Sequence, residues 1–398
     1  MSTSPLAHAH DMDAFRAALR DWFPRVIPAN WRDTIRMQGE SGYAQVQADW
    51  YRALADAGLA TAHWPAGWGG ADLPLAAQIV YYEEMIRADA PLLPLHQISL
   101  YHMPATLFAH GTAAQRARYL DGARLHGDIW CQGFSEPGAG SDLASLRTSA
   151  VRDDDHYVLN GQKTWSTNGA YARYCLLLAR TDTQAPRKQA GISCFVVDLK
   201  ETPGVTVRPI RQITGEADFA EIFFDDARIR CENLIGAEND GWQIAQSTLT
   251  SERGLLIFEH TERLAAAYWR DAKAGKDKWL RDPAHAREFA CFFPRVRSVQ
   301  LMARALLEEL AKDPHGGFET ATFLKLAWAP LLQEYTGFVA RMGGLEAQQM
   351  REPLRCGGHT SGDAMTDCLA SYGWTVAGGS NEIMRNIVAE RILGLPKG

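Results

Sequence analysis

Glu252 and Arg253 stand together in Ser251-Glu252-Arg253-Gly254, on a stretch whose apolar residues recur at helical spacing. Trp242, Ala245, Leu249, Glu252 and Leu256 follow one another as i, i+3, i+7, i+10 and i+14, so a carboxylate interrupts an apolar stripe. Such a group is costly unless it is paired or neutral, and burial would raise its pKa toward the range of a general base near neutral pH. The competing arrangement turns Glu252 to a rim, where it pairs with an arginine. Two further segments could cradle a ligand. Gly133-Phe134-Ser135-Glu136-Pro137-Gly138-Ala139-Gly140-Ser141-Asp142 lacks bulky side chains, so its backbone amides can approach a bound group closely, although Gly and Pro also end ordinary strands. Asn160-Gly161-Gln162-Lys163-Thr164-Trp165-Ser166-Thr167-Asn168-Gly169 places a tryptophan at a strand end, where it can cover a flat aromatic system or simply fill a core. Neither segment has the spacing of a dinucleotide fingerprint or a P-loop.

Three textures position these residues. From Asp11 to about Arg124 the periodicity is helical, with Phe15, Leu19, Trp22 and Val26 on one face and further stripes over Val46–Ala57 and Leu75–Arg87. From about Asp128 to Ile235 short β-type runs alternate with turn signals, and Asp153-Asp154-Asp155 reads as a hairpin tip. No helix-length segments separate these runs, which predicts antiparallel packing. Helical periodicity returns with Trp242 to about Lys273 as one long helix, then Pro283–Lys312, Ala321–Met342 and a last helix from Asn381. The expected divisions are 1–127, 128–236 and 237–398.

Together the E-P-G-A-G-S-D and G-Q-K-x-W segments, at this separation and in this helix–β–helix order, resemble the acyl-CoA dehydrogenase family over nearly the whole chain. The resemblance implies an α+β fold: an N-terminal helical domain, a middle antiparallel β domain and a C-terminal four-helix bundle. It also implies FAD, with Gln132, Phe134, Ser135, Gly140 and Ser141 lining the flavin ring and the thioester entrance, Trp165 packing on the ring and Thr167 near its N5. The glutamate that many relatives carry near the C-terminus is missing: in Ala377-Gly378-Gly379-Ser380-Asn381-Glu382 its position is Gly378, whose backbone amide can still serve the thioester carbonyl. Gly379, Ser380 and Glu382 match positions used around FAD. Other members place the base before the CoA-contacting arginine on a long helix, which implies Glu252 as base and Arg253 at the CoA.

The resemblance further implies an acyl-CoA substrate, an electron-transfer flavoprotein as acceptor, and a homodimer or homotetramer, with a heterotetramer as the variant. His96, in the helix running from Pro94 to His102, aligns with the acyl-pocket wall, and its polar and aromatic neighbours suit a bulky, cyclic, sterol-side-chain or dicarboxylyl acyl group. Two family features are eroded. No R-x-x-F-G follows the base-bearing helix, and Met342-Gly343-Gly344-Leu345 has lost the glutamine of Q-x-x-G-G-x-G. Two alternatives stay open: a partner subunit that shares FAD within a hetero-oligomer, and a flavin oxidase or monooxygenase on the same fold. Composition adds exclusions. With 41 Lys and Arg against 47 Asp and Glu, and no dense basic tract, a nucleic-acid partner is not expected. Seven scattered cysteines without C-x-x-C spacing read as reduced thiols of a cytoplasmic protein. No metal-ligand pattern and no apolar run of membrane-spanning length occurs, so neither metal nor membrane is expected.

Overall fold

The computed structural model describes residues 4–251, 254–313, 316–349 and 361–396, and for 249–251 the backbone alone. Its first part is helical: α1 (Met12–Val26), α2 (Trp31–Asp56), α3 (Leu75–Arg87), α4 (Met103–His110) and α5 (Ala113–His126). Asp11 caps α1 by accepting hydrogen bonds from the amides of Asp13 and Ala14, and the stripe that predicted this helix buries Phe15, Leu19 and Trp22. A π-helical turn, Ile98–His102, precedes α4.

A sheet of eight strands follows: β1 (Trp130–Gly133), β2 (Ser149–Asp153), β3 (His156–Thr167), β4 (Tyr174–Arg180), β5 (Ile192–Asp198), β6 (Val205–Ile210), β7 (Phe219–Arg230) and β8 (Leu234–Ile235). The order β6-β7-β3-β2-β4-β5-β8 is joined by β1 against β4. Most pairings are antiparallel, and the three aspartates form the β2–β3 hairpin tip, with Asp154 at φ 54°. The sheet is mainly antiparallel, as expected, with two parallel contacts onto β4: β1 pairs along it, Cys131 opposite Cys175, and β2 meets it at Ser149 and Arg180. The long segment from β1 to β4 brings the chain back beside its own start in the same direction, with the β2–β3 hairpin rather than a long helix in the crossover. The apolar run of β4 is unbroken because both faces are covered. Leu176 and Leu178 join the helical core, while Cys175, Leu177 and Ala179 face a second core inside the β layer.

The chain then returns to helices: α6 (Gly241–Ser251), α7 (Leu255–Gly275), α8 (Pro283–Lys312), α9 (Phe318–Met342), α10 (Gly344–Gln348), α11 (Ala364–Ser371) and α12 (Asn381–Ile387). A correction falls here. The stretch from Trp242 onward is two helices, because Gly254 has φ −97° and ψ −92°, outside the helical region. The stripe from Trp242 therefore does not run in register to Leu256.

The N-terminal helices are cross-linked at Glu84 of α3, whose side chain is 1% exposed and accepts hydrogen bonds from Arg16, Arg20 and Arg87. Burial alone would raise this carboxyl; the bonds from Arg20, Arg87 and Arg16 outweigh it and bring the pKa down from 4.5 to about 2. A depressed carboxyl contributes stability above its unfolded value and loses it as pH falls through the folded one. Glu84→Gln is expected to destabilise the protein by about 2–3 kcal/mol at neutral pH, toward the low end for a broken buried pair because the arginines are partly solvated. Urea titration should show that deficit shrinking between pH 4.5 and about 2.

Candidate active site

The two signature segments meet directly. Thr164 donates its amide to the Ser135 carbonyl at 2.9 Å, and Nζ of Lys163 donates to the Phe134 carbonyl at 3.1 Å and to Oε1 of Glu136 at 2.8 Å. Lys163 is fully buried and Glu136 nearly so. Glu136 also accepts the amides of Arg147 and Thr148 at 2.7 and 2.8 Å. Burial pulls Lys163 down to about 8, against the pull of Glu136 in the other direction. The Glu136 carboxyl, which burial would raise, is held below its usual range by Lys163. This ion pair clamps the glycine-rich loop to β3, and sequence reading had not singled it out.

The strand is irregular just beyond the clamp. The β3–β7 register shifts between Lys163 and Ser166, so strict alternation fails: Lys163, Thr164 and Ser166 are buried while Trp165 points outward, 58% exposed. Trp165 has φ 58°, a conformation that bulky residues adopt rarely and that concentrates at functional sites. Its indole packs edge-on against Phe219 at 5.7 Å and leaves its remaining surface open. Nearby, a Cβ on Gly138 or Gly140 would meet nothing within 4 Å, so the loop borders open space. Ser135 and Thr167 are half-buried, and Gly140 and Ser141 are exposed.

The third segment is tied to α9: Lys325 donates its ammonium to the carbonyls of Trp374 and Ala377. Gly378 and Gly379 follow at φ 65° and 91°, a double left-handed turn that only glycine makes cheaply. Ser380 caps α12 by accepting the amide of Ile383 at 3.3 Å, and exposed Glu382 pairs with Arg385 at 3.1 Å. Oδ1 of Asn381 is buried and accepts no hydrogen bond among the described residues. Glu252 and Arg253 lie outside the described residues; they fall between the end of α6 and Gly254. α6 itself is anchored where Thr248 meets Thr106 of α4, Oγ1 to Oγ1 at 2.7 Å.

His96 turns inward. It is 4% exposed, stacked on Tyr51 at 4.1 Å, and burial lowers it to about 4, so it is a neutral packing residue. Its neighbour on the π turn, His102, instead meets the β layer: the Gln132 amide donates to its Nδ1 at 2.9 Å. The family's flavin fits what is present, namely an exposed indole held by a bulge beside an open glycine loop. Among the described residues no cluster of His, Cys, Asp and Glu is arranged to hold a metal ion, and no helix is long and apolar enough to cross a membrane.

Comparison with known proteins agrees with this architecture. Family models for the acyl-CoA dehydrogenase N-terminal, middle and C-terminal domains match residues 10–124, 131–227 and 239–393. An acyl-CoA dehydrogenase of Mycobacterium tuberculosis, IpdE1, is 36% identical, the match covering 97% of this chain and 98% of that protein. A second from the same organism, FadE34, is 36% identical over 87% of this chain and 46% of its own length. Among solved structures, the Tcur3481-Tcur3483 steroid acyl-CoA dehydrogenase superposes with a TM-score of 0.83 at 26% identity, covering 98% of both chains. The ChsE4-ChsE5 complex from Mycobacterium tuberculosis gives 0.80 at 26% identity over 97% of this chain and 98% of that one. The chain belongs to the acyl-CoA dehydrogenase family, enzymes of lipid metabolism that are FAD-dependent in general.

Proposed function

We propose that the chain is an FAD-dependent dehydrogenase that introduces an α,β double bond into a bulky, ring-bearing acyl-CoA thioester, with Glu252 as the base. The observation that carries this reading is Trp165, a strained and exposed indole beside the open Gly138–Gly140 loop, which suits one face of a flat ring system. Relatives described as steroid acyl-CoA dehydrogenases support a bulky acyl group. FAD, when bound, supplies the hydride acceptor. The protein's own tasks are then distinct. Glu252 takes the α-proton, and the Gly378 amide donates to the thioester carbonyl, where negative charge develops; one such donor is worth about 3–4 kcal/mol. Gln132, Phe134, Ser135, Gly140, Ser141, Trp165, Thr167, Gly379, Ser380 and Glu382 hold the cofactor, with Ser141 also at the thioester entrance. Arg253 meets the CoA, and the acyl-wall role first expected of His96 passes to Tyr101 and His102 on the π turn.

The physiological acceptor in this reading is an electron-transfer flavoprotein, and the protein works as a homo-oligomer. The test is direct. Purified protein should show a flavin spectrum that bleaches anaerobically on adding an acyl-CoA and recovers slowly in air. Rapid peroxide formation would instead identify an oxidase. A colourless protein that gains flavin only with a second chain would favour the FAD-sharing subunit, the arrangement to which the missing R-x-x-F-G points.

A further inference from the structure

The peptide between Ala377 and Gly378 is held at one end and open at the other. Its carbonyl, on Ala377, accepts a hydrogen bond from Nζ of Lys325 at 2.8 Å. Its N–H, on Gly378, meets no acceptor among the described residues. A Cβ built on Gly378 would touch nothing within 4 Å, so the residue borders open space. Gly378 has φ 65° and could accept many orientations of this peptide, which leaves the choice to whatever anchors the carbonyl.

The anchor is itself well fixed. Lys325 of α9 is half-buried and donates to the Trp374 carbonyl as well, so one ammonium bridges two carbonyls of the same turn. About two helical turns further along that face of α9, Gln333 donates its amide to Oγ1 of Thr375 at 3.2 Å. The ring of Trp374 packs against Trp328 of α9 at 5.2 Å and against His260 of α7 at 4.7 Å. The amides of Val376 and Ala377 both donate to the Gly373 carbonyl, at 3.1 and 2.8 Å. Among these contacts it is Lys325 that reaches the peptide carrying the Gly378 N–H.

A trans peptide is planar, with C=O and N–H pointing in opposite directions, so pinning the Ala377 carbonyl to α9 aims the Gly378 N–H away from that helix. A cation on the carbonyl oxygen also draws electron density across the C–N bond and strengthens the N–H as a donor, since hydrogen bonds in a chain polarise one another. When a base removes the α-proton of a thioester, the electron pair of the broken C–H bond spreads onto the carbonyl oxygen, where a stronger donor is most effective. We infer that Lys325 is a positioning residue for this step: it never touches the substrate, and it sets the direction and the strength of the Gly378 amide. The inference rests on the dehydrogenase reading and deepens it, because that reading makes the Gly378 amide the donor to the thioester carbonyl.

Lys325→Met keeps an apolar stem of similar length and removes the ammonium. Rapid mixing of the flavin-loaded protein with saturating cyclohexylpropanoyl-CoA should show flavin reduction slowed about tenfold, less than the roughly 10²–10³-fold cost of losing an oxyanion donor outright. Affinity for the same thioester should change by less than about twofold, since its ground-state carbonyl carries little of the charge that develops later. A second readout needs no turnover. The unsaturated product, cyclohexylpropenoyl-CoA labelled isotopically at the thioester carbonyl carbon, should show its carbonyl stretch lowered on binding the native protein, and Lys325→Met should move it back toward the free value. Lys325→Arg keeps a cationic donor and should restore most of both effects. An unchanged reduction rate or an unmoved carbonyl stretch in Lys325→Met overturns the inference. So does an affinity that falls as far as the rate, which marks a residue that only holds the loop. Should Lys325→Met not fold, Lys325→Gln, a neutral donor, carries the same comparison against Lys325→Arg. Native flavin that cyclohexylpropanoyl-CoA fails to bleach counts against the dehydrogenase reading and takes the inference with it, whereas native bleaching with an indifferent Lys325→Met sinks the inference alone.

Discussion

Glu252→Gln is expected to slow flavin reduction by about 10²–10⁴-fold while leaving the bound flavin's visible spectrum in place. The amide keeps the shape of the carboxylate and loses only its ability to take a proton. Rapid-mixing kinetics under anaerobic conditions isolates that step from reoxidation. The expectation rests on the family resemblance, which puts the base directly before the CoA-contacting arginine. Around that position α6 is held on α4 through Thr248 and Thr106, and Gly254 lies outside the helical region. The nearest rival is Glu259, which is buried and raised above the usual carboxylate range by that burial, though Arg263 opposes the shift. Its pairing with Arg263 makes it a poor proton acceptor, because protonation would break the pair. If Glu259→Gln abolishes reduction while Glu252→Gln reduces at a near-native rate, the base lies further along α7.

How much of this could be read from residues alone depended on whether a pattern had one physical cause. The stripes of Leu75–Arg87 and Pro283–Lys312 fix α3 and α8 to the residue, because a helix with one apolar face admits a single register. The break at Gly254 was hidden, since a lone glycine in a periodic run is tolerated and the periodicity resumes beyond it. The outward turn of Trp165 was hidden for the opposite reason: a bulge cancels the alternation that identifies a strand face. Gly378, Gly379 and Ser380 were singled out through the family resemblance alone, and the structure adds a left-handed turn and a helix cap that explain those residue types. Glu259 and Arg263 stand at i, i+4, a spacing that exposed pairs share, and only the folded structure, with Arg263 reaching the Ala90 carbonyl, shows that they are inside. His96 and His102 share one short segment, and nothing in their spacing says which ring faces Tyr51 and which faces Gln132.

Lys163→Met should cost about 3–5 kcal/mol of stability and weaken FAD retention together, because one side chain does both jobs. Removing the ammonium strands the Glu136 carboxylate in a buried site, still bonded to the amides of Arg147 and Thr148 but without a cation. It also removes the bond to the Phe134 carbonyl that fixes the glycine loop against β3. Glu136→Gln should be milder. Burial has already brought Lys163 down to about 8, so without its partner the lysine can shed its proton near neutral pH at a cost of roughly 1–2 kcal/mol. Glu136 escapes less easily: with Lys163 gone burial raises its carboxyl, but the bonds from Thr148 and Arg147 still favour the charged form. The double variant Glu136→Gln with Lys163→Met removes both charges and should recover most of the stability lost in Lys163→Met, as buried pairs replaced by neutral groups commonly do. Flavin retention should recover less, because the Phe134 bond remains missing. Urea titration and equilibrium dialysis of FAD on the four proteins separate the two effects. Stability and FAD affinity that rise and fall in strict proportion would show the pair to be a packing element, with no separate part in shaping the cradle beneath Trp165.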